Sequence, residues 1–169
     1  MSGLLRKETI SELIHSYKEP LYWHIRKMVI DHDDSKDVLQ EVFLRVWRNL
    51  DSFRGDTSIS NWLYRIASNE SIRFLNKKQR QNKNKAHIRD ILAMELESSS
   101  FISGEQIQMT LQKAILTLTD RQRLIFNMRY FDDLEYADIA GILETTINNV
   151  KVLYHNAKNQ VQEIIRQEL

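Results

Sequence analysis

The sequence contains no cysteine, one proline and four glycines among its 169 residues. The absence of cysteine excludes disulfide bonds and thiolate metal sites, and it suits a reducing cytoplasm, where we expect the protein to act. The chain has no apolar run of the length that a membrane-spanning helix needs, so we expect no membrane insertion. Its first residues lack the hydrophobic core of a secretion signal, so we expect no export.

The scarcity of glycine and proline leaves few turn signals, and the apolar residues recur every three or four positions. This spacing predicts an all-α protein. One apolar stripe approaches Pro20 and continues beyond it to Val29, which predicts either two helices or one helix kinked at the proline. Residues 81–104 are rich in polar residues, and they predict a flexible linker between two small helical domains at 1–80 and 105–169.

Local signals place several helix boundaries. An acidic cluster at 31–34 predicts the start of a helix over about 35–49, whose apolar face comprises Val38, Leu39, Val42, Phe43, Val46 and Trp47. Gly55 is the pivot of a loop over 51–57, and a long helix is expected from Ser58 into the low eighties. Thr119 and Gln122 have the spacing of a capping box, which predicts a helix from Arg121 to Tyr130.

The segment 134–161 predicts a helix-turn-helix, with a short helix, a tight break and a longer helix. Val150, Leu153, Ala157 and Val161 share one face of the longer helix, and hydrogen-bonding side chains cover the opposite face. Asparagine can pair with adenine in the major groove, and an exposed valine can contact a thymine methyl group. The same pattern also fits an ordinary solvated amphipathic helix. The candidate DNA contacts are Thr146, Asn148, Asn149, Lys151, Val152, His155, Asn156 and Asn159.

The net charge of +1 conceals a basic segment, because residues 65–89 carry eight basic residues and one acidic residue. In the long helix, one face presents Trp62, Arg65, Asn69, Arg73, Asn76 and Arg80. Cations that hold phosphates beside an aromatic ring or amides that engage bases suit partly single-stranded DNA. The alternatives are a solvated basic segment and a Trp62 that packs in the core.

The polar face of the 35–49 helix carries Asp37, Glu41, Arg45 and Arg48, with Leu44 among them. An exposed leucine within a charged face can anchor a partner helix, although single exposed apolar residues are also normal. Enzyme chemistry has little support. The five histidines lack metal-ligand spacing, no glycine-rich phosphate loop is present, and no serine has an evident base, so we expect no catalytic group, metal or cofactor.

Four segments together resemble a bacterial RNA polymerase sigma factor of the extracytoplasmic function group, in the sigma-70 family. They are residues 33–47, Phe-Arg-Gly at 53–55, Trp-Leu-Tyr-Arg-Ile-Ala at 62–67 and the helix-turn-helix from Leu134. The resemblance covers about 10–80 and 106–166. It implies a region 2-like domain over 1–80, a linker over 81–104 and a region 4-like domain over 105–169.

The resemblance implies that core RNA polymerase and promoter DNA are the partners, with an anti-sigma factor as a further candidate. The 35–49 helix would dock on the polymerase, and the loop at 52–59 would capture a base flipped from the minus-ten element. The helix over about 146–160 would read the minus-thirty-five element. The implied polymerase contacts are Asp37, Gln40, Glu41, Leu44 and Arg45, and the implied minus-ten contacts are Phe53, Arg54, Gly55, Asp56, Asn61, Trp62, Arg65, Asn69 and Arg73.

The chain departs from the family pattern at two places. Glu144 stands where the family often has glycine, and Asn148 to Leu153 lack the frequent serine-arginine pair, so promoter sequences cannot be carried over from relatives. The leading hypothesis is an initiation factor that directs polymerase to promoters and helps to melt them. A free-standing helix-turn-helix regulator needs the C-terminal domain alone, and a helical adaptor would leave the basic segment unexplained.

Overall fold

The computed structural model describes residues 3–82, 86–98 and 106–168, and all the regular structure in these ranges is helical. The all-α prediction is confirmed. A 3-10 turn at Leu50–Ser52 follows the second helix. The helices are α1 (Gly3–Val29), α2 (His32–Asn49), α3 (Ile59–Gln81), α4 (Ile88–Ser98), α5 (Gln106–Leu116), α6 (Asp120–Tyr130), α7 (Tyr136–Leu143) and α8 (Ile147–Glu168).

The helix starts follow the predicted capping residues. The carboxylate of Asp31 accepts a hydrogen bond from the Asp34 N–H, so α2 begins three residues earlier than predicted. The Ser58 hydroxyl caps α3 in the same way. Thr119 and Gln122 form the predicted capping box at the start of α6. Pro20 lies inside one helix, so α1 continues where the sequence left open two separate helices.

The first three helices pack against one another around a shared apolar core. Leu21 and Ile25 of α1, Val42 of α2 and Leu63 and Ala67 of α3 are fully buried in it. Ile30 follows α1 with a φ of 73°, and its side chain is 1% exposed. A left-handed conformation is unfavourable for a β-branched residue, so this tight corner depends on the burial of the Ile30 side chain.

The middle of the predicted linker forms the helix α4. Leu92 and Leu96, four residues apart, are buried on one face of it. Lys78 of α3 lies between Asp34 of α2 and Glu95 of α4 and forms ion pairs with both. Burial lowers the pKa of Lys78, but the two carboxylates outweigh this effect and raise it above its ordinary value. The prediction of a flexible linker therefore does not hold for residues 88–98; residues 83–85 and 99–104 lie outside the described residues.

The helices α5, α6 and α8 surround a second apolar cluster, whereas α7 is buried in the first core through Ile139, Ala140 and Ile142. Ile115 of α5, Leu118, Phe126 of α6, and Ala157 and Val161 of α8 are buried in it. The short helix α7 packs across α8 and also contacts α3 of the first domain. This contact brings the proposed helix-turn-helix against the first domain.

The two domains also meet at the C-terminal end of α1. The Arg123 guanidinium is buried there and donates hydrogen bonds to the carbonyl oxygens of Lys27 and Met28, at 3.2 and 2.8 Å. Asp132, just after α6, accepts a hydrogen bond of 2.8 Å from Lys27 Nζ. Its second carboxylate oxygen lies 3.6 Å from Nδ1 of the buried His24. These polar contacts lie where the end of α1 would otherwise leave carbonyl groups unpaired.

The carboxylate of Asp132 should stabilise this junction in a pH-dependent way. Burial raises the pKa of Asp132, but His24 and Lys27 outweigh burial and lower it below the ordinary value of 3.8. A carboxylate with a lowered pKa stabilises the fold above its unfolded-state pKa, and the contribution disappears as the pH falls through the folded-state value.

We expect Asp132→Asn to lower the free energy of unfolding by about 1–3 kcal/mol at neutral pH, because Lys27 loses a charged hydrogen-bond partner. The difference between wild type and variant should persist down to about pH 4 and shrink below it. Urea unfolding of both proteins at stepped pH values measures this difference. A difference that stays constant through the acid range would contradict the assignment.

Candidate functional site

The helix α8 has one buried face and one exposed polar face, as its sequence pattern predicts. Val150, Ala157 and Val161 are buried, and Leu153 is partly buried beside them. Of the predicted upstream DNA contacts, all but Asn149 are exposed: Thr146, Asn148, Lys151, Val152, His155, Asn156 and Asn159. Val152 is 50% exposed, so this face offers an apolar contact as well as hydrogen-bonding groups.

The first turn of α8 is held by short-range hydrogen bonds. The Thr146 hydroxyl accepts a hydrogen bond from the Asn149 N–H at 3.1 Å, so Thr146 caps the helix. The Asn149 side chain is partly buried and donates to the Thr145 hydroxyl at 2.9 Å. Of the predicted DNA contacts, these two residues are thus engaged in shaping the helix start, and the others lie further along the exposed face.

Further along α8, polar side chains orient one another. The Asn159 amide lies 3.1 Å from His155 Nε2, one helical turn away. Lys151 lies over the Tyr136 ring, 5.8 Å from its centroid, and Arg129 approaches the same ring at 4.7 Å. Two cations therefore lie on the ring of Tyr136, the first residue of α7, and together they could hold a DNA backbone there.

The turn between α7 and α8 contains a left-handed residue. Glu144 has a φ of 55°, and its N–H bonds to carbonyl oxygens in the last turn of α7. Glycine adopts this conformation without strain. The helix-turn-helix geometry is thus kept although this chain has glutamate there.

The predicted downstream-element residues surround the start of α3. Gly55 has a φ of 79° in the loop before this helix, as expected for a pivot. Arg54, Gly55 and Asp56 are exposed, whereas Phe53 and Trp62 are partly buried with ring centroids 5.0 Å apart. Trp62 packs against the first core, so part of its surface serves the fold, as the alternative interpretation proposed.

Asn61 and Arg65 on α3 contact the second domain. The Asn61 amide donates to Asp138 at 3.0 Å. The Arg65 guanidinium donates to the carbonyl oxygen of Gly141 at 2.6 Å and forms an ion pair of 3.1 Å with Glu144. Further along the same face, Asn69 and Arg73 are exposed. The continuous stripe predicted from the sequence is therefore divided into a covered part and an open part.

A buried carboxylate links two of the predicted contact sets. Glu70 of α3 is 5% exposed and forms an ion pair with Arg45 of α2. Arg73 approaches the same carboxylate at 3.9 Å. The sequence assigned Arg45 to polymerase contact and Arg73 to DNA contact, and both guanidinium groups also compensate the buried charge of Glu70.

An open groove of about 800 Å³ lies on the surface between α1 and α2, which pack against each other beneath it. Asp37, Gln40 and Leu44 line it, and Leu44 is 43% exposed. Glu41 lies outside the groove lining and approaches Arg45 and Arg48 at 4.0 Å. Trp47 was expected on the packed face of α2, but it is 41% exposed and lines the groove, because α2 packs through Val42 and Val46. The expected packing of Trp47 was therefore wrong in part.

The opposite wall of the groove comes from α1, which sequence reasoning did not assign to the site. Ile10, Ile14 and Tyr22 contribute to this wall. The Tyr22 hydroxyl lies 2.5 Å from His32 Nδ1 and accepts a hydrogen bond of 2.8 Å from Arg26. The apolar stripe of α1 was visible in the sequence, but the sequence does not show that part of the stripe stays uncovered.

The described part of the chain lacks both a membrane-spanning helix and a cluster of metal ligands. Across residues 3–82, 86–98 and 106–168, no helix is long and apolar enough to cross a membrane. In the same ranges, no group of three His, Asp or Glu side chains could hold a metal ion.

Two family models match the chain in the order of its domains. Sigma-70 region 2 matches residues 13–81, and sigma-70 region 4 matches residues 108–161. The first match covers α2, α3 and most of α1, and the second includes the α7–α8 helix-turn-helix. The exposed face of α8, the loop and exposed face of α3, and the α2 wall of the groove therefore lie within the matched regions.

The chain is similar in sequence to known proteins over most of their length. The chain is 30% identical to the ECF RNA polymerase sigma-E factor of Escherichia coli K12, over 79% of this chain and 76% of that protein. It is 26% identical to the ECF RNA polymerase sigma factor SigW of Bacillus subtilis, over 95% and 90%.

Two solved structures share the fold with a TM-score of 0.69 and 20% identity each. One is the sigma factor RpoE in complex with the anti-sigma factor NepR from Bartonella quintana, with 95% of this chain and 98% of that chain covered. The other is CnrH in complex with the cytosolic domain of CnrY, with 96% and 91% covered. The chain belongs to the sigma-70 family, within its extracytoplasmic function group of RNA polymerase sigma factors.

Proposed function

We propose that the chain binds core RNA polymerase through the groove between α1 and α2 and directs it to promoters through two separate DNA-reading surfaces. The observation that carries this proposal is the presence of both sigma regions in one chain, over 13–81 and 108–161, each with an exposed polar surface. RNA synthesis remains the chemistry of the polymerase, so the chain needs no catalytic group or cofactor of its own. The proposed location is the bacterial cytoplasm.

For the upstream element, α8 would enter the major groove of duplex DNA. Asn148, Val152 and His155 lie on the exposed face, where amide, aliphatic and imidazole groups can meet base edges. Lys151 and Arg129 at the junction with α7 would hold phosphates.

For the downstream element, the loop before α3 would accept a base that has left the stack. Arg54 and Asp56 are exposed in this loop: the Arg54 guanidinium can donate to a phosphate or a base edge, and the Asp56 carboxylate can accept from a base amino group. The Phe53–Trp62 pair provides an aromatic surface beside them. Extruding a base costs stacking energy, so an aromatic surface and a polar rim are a suitable combination. Asn61, Arg65, Asn69 and Arg73 would continue this surface along α3.

The groove between α1 and α2 is suited to a partner helix, since apolar side chains line it and charged side chains of both signs surround it. We propose that this partner is the polymerase. An anti-sigma factor is a further proposed partner, because one structural neighbour, RpoE, was solved in complex with the anti-sigma factor NepR.

Run-off transcription with purified core polymerase tests the proposed function. We expect the full chain to yield discrete transcripts from a library of genomic fragments that core polymerase alone does not produce. A free-standing helix-turn-helix regulator would bind DNA without giving core polymerase this ability. The absence of chain-dependent transcripts, with DNA binding retained, would favour that alternative.

Leu44→Asp should weaken polymerase binding at least about tenfold without unfolding the chain, because an exposed position tolerates a charge but a desolvated interface does not. Met94→Asp is the matched control, since Met94 is 70% exposed and does not line the groove. Affinity for core polymerase and the melting temperature are measured together. Equal affinities of the two variants would remove Leu44 from the interface.

Asn148→Ala and His155→Ala should each change base preference at an upstream position by about 1–3 kcal/mol and leave the domain folded. Val150→Ala should instead destabilise the C-terminal domain by roughly 1–3 kcal/mol, because Val150 is fully buried. Promoter-library selection and thermal melting of the three variants separate these effects. The assignment fails if the two exposed-site variants unfold the domain and keep the parental base preferences.

A further inference from the structure

Two side chains on the exposed face of α8 bond to each other. Nδ2 of Asn159 lies 3.1 Å from Nε2 of His155, one helical turn away. Both residues are exposed, and across residues 3–82, 86–98 and 106–168 neither side chain has a second hydrogen-bond or ion-pair partner. Within the described ranges, the state of the His155 ring therefore depends on this one contact.

The hydrogen bond determines where the imidazole carries its hydrogen. An amide nitrogen can only donate, so Asn159 is the donor and Nε2 of His155 is the acceptor. A neutral imidazole has one N–H group. Since Nε2 accepts, the hydrogen of the neutral His155 ring lies on Nδ1. The Asn159 side chain thus selects one of the two tautomers.

The position of the pair along α8 separates the roles of its two members. The N-terminal residues of a recognition helix meet the base edges. His155 lies in the third turn of α8, on the same face as the exposed Val152, and Asn159 lies in the fourth turn. His155 is thus the member nearer to the bases, and Asn159 is placed to act on the ring.

A ring with its hydrogen on Nδ1 presents a fixed donor to DNA. In the major groove, guanine offers the acceptors O6 and N7, adenine offers N7 and thymine offers O4, whereas cytosine offers the amino donor N4. The Nδ1–H group can therefore bond to three of the four bases. Against cytosine, two donors would face each other, and the desolvated N–H group would lose its partner.

The free amides on the same face are less selective than this ring. Asn148 and Asn156 are exposed, and within the described ranges no hydrogen bond fixes the orientation of their side chains. An amide can turn over to present either its oxygen or its nitrogen, so it can bond to donors and to acceptors. The His155 ring cannot adapt in this way while Asn159 holds its tautomer.

We propose that Asn159 is a positioning residue that holds His155 in the Nδ1–H tautomer, and that His155 in this form selects guanine, adenine or thymine over cytosine at one upstream position. This inference rests on the proposed function of α8 as the reader of the upstream element. It predicts that Asn159 influences base selection through the imidazole and not through its own contact with DNA.

The tautomer is measured on the free full chain. Long-range hydrogen–nitrogen correlation spectra of protein labelled with ¹⁵N-histidine are recorded at mildly alkaline pH, where imidazole groups are neutral. Comparison with His155→Ala assigns this ring among the five histidines. The parent should carry the hydrogen on Nδ1, and Asn159→Leu should lose this bias. Gln162→Leu is the matched control, because it removes an exposed amide from the same face without touching the pair.

Base selection is measured on the complex of each full-length variant with core polymerase. The probes are promoter duplexes that carry each of the four bases at the position whose preference changes in His155→Ala. The parent should bind the cytosine duplex at least about fivefold more weakly than the other three. Asn159→Leu should reduce this discrimination at least about threefold, and Gln162→Leu should keep it. In the His155→Ala background, Asn159→Leu should have no further effect, as a double-mutant cycle requires of a residue that acts through another.

A ring with its hydrogen on Nε2, or an unchanged tautomer in Asn159→Leu, would overturn the proposal. Additive effects of the two substitutions would also overturn it, since Asn159 would then contact DNA directly. Equal losses with all four bases in His155→Ala would indicate a phosphate contact and have the same consequence. If the parent complex has no base preference at any upstream position, the proposed function of α8 fails. If it has preferences but none depends on His155, this inference alone fails.

Discussion

The buried guanidinium of Arg123, together with an apolar core that residues of both domains share, is the interaction on which the arrangement of the two domains depends. It is 2% exposed, and burial lowers its pKa to about 10, so it remains charged near neutral pH. A buried charge is costly unless it is hydrogen-bonded, and the unpaired carbonyls at the end of α1 provide the acceptors. This pairing holds α6 against α1, while α7 packs directly on α3.

Several cations of the basic segment already pair with carboxylates of the same chain. Arg65 pairs with Glu144, Lys78 with Asp34 and Glu95, and Arg73 approaches Glu70. DNA binding at such positions exchanges one anionic partner for another, so it gains less than binding by free cations would. If this surface binds DNA as proposed, its affinity depends on these internal ion pairs as well as on the number of basic residues.

Sequence signals were sufficient where the cause of a structure is local. The Thr119–Gln122 capping box and the apolar stripe of α8 depend on neighbours within a few positions, and the structure has both as predicted. The exposure of Trp47, the pairing of Arg45 with Glu70 and the covering of Arg65 depend on residues far away in the chain. No periodicity encodes such contacts, because they follow from how the helices are oriented after packing.

Glu144 has opposite effects on the stability of its turn and on the contact between the two domains. A left-handed conformation costs a residue other than glycine roughly 1–2 kcal/mol. The ion pair with Arg65 is mostly exposed on the glutamate side, at 70%, and such pairs contribute about 0–1 kcal/mol. The contact therefore does not offset the backbone cost, and glycine would suit the turn better. The contribution of the glutamate is instead a contact between the domains, since its carboxylate lies 3.1 Å from the Arg65 guanidinium of α3. This residue therefore weakens its own turn slightly while it favours the packing of the two domains against each other.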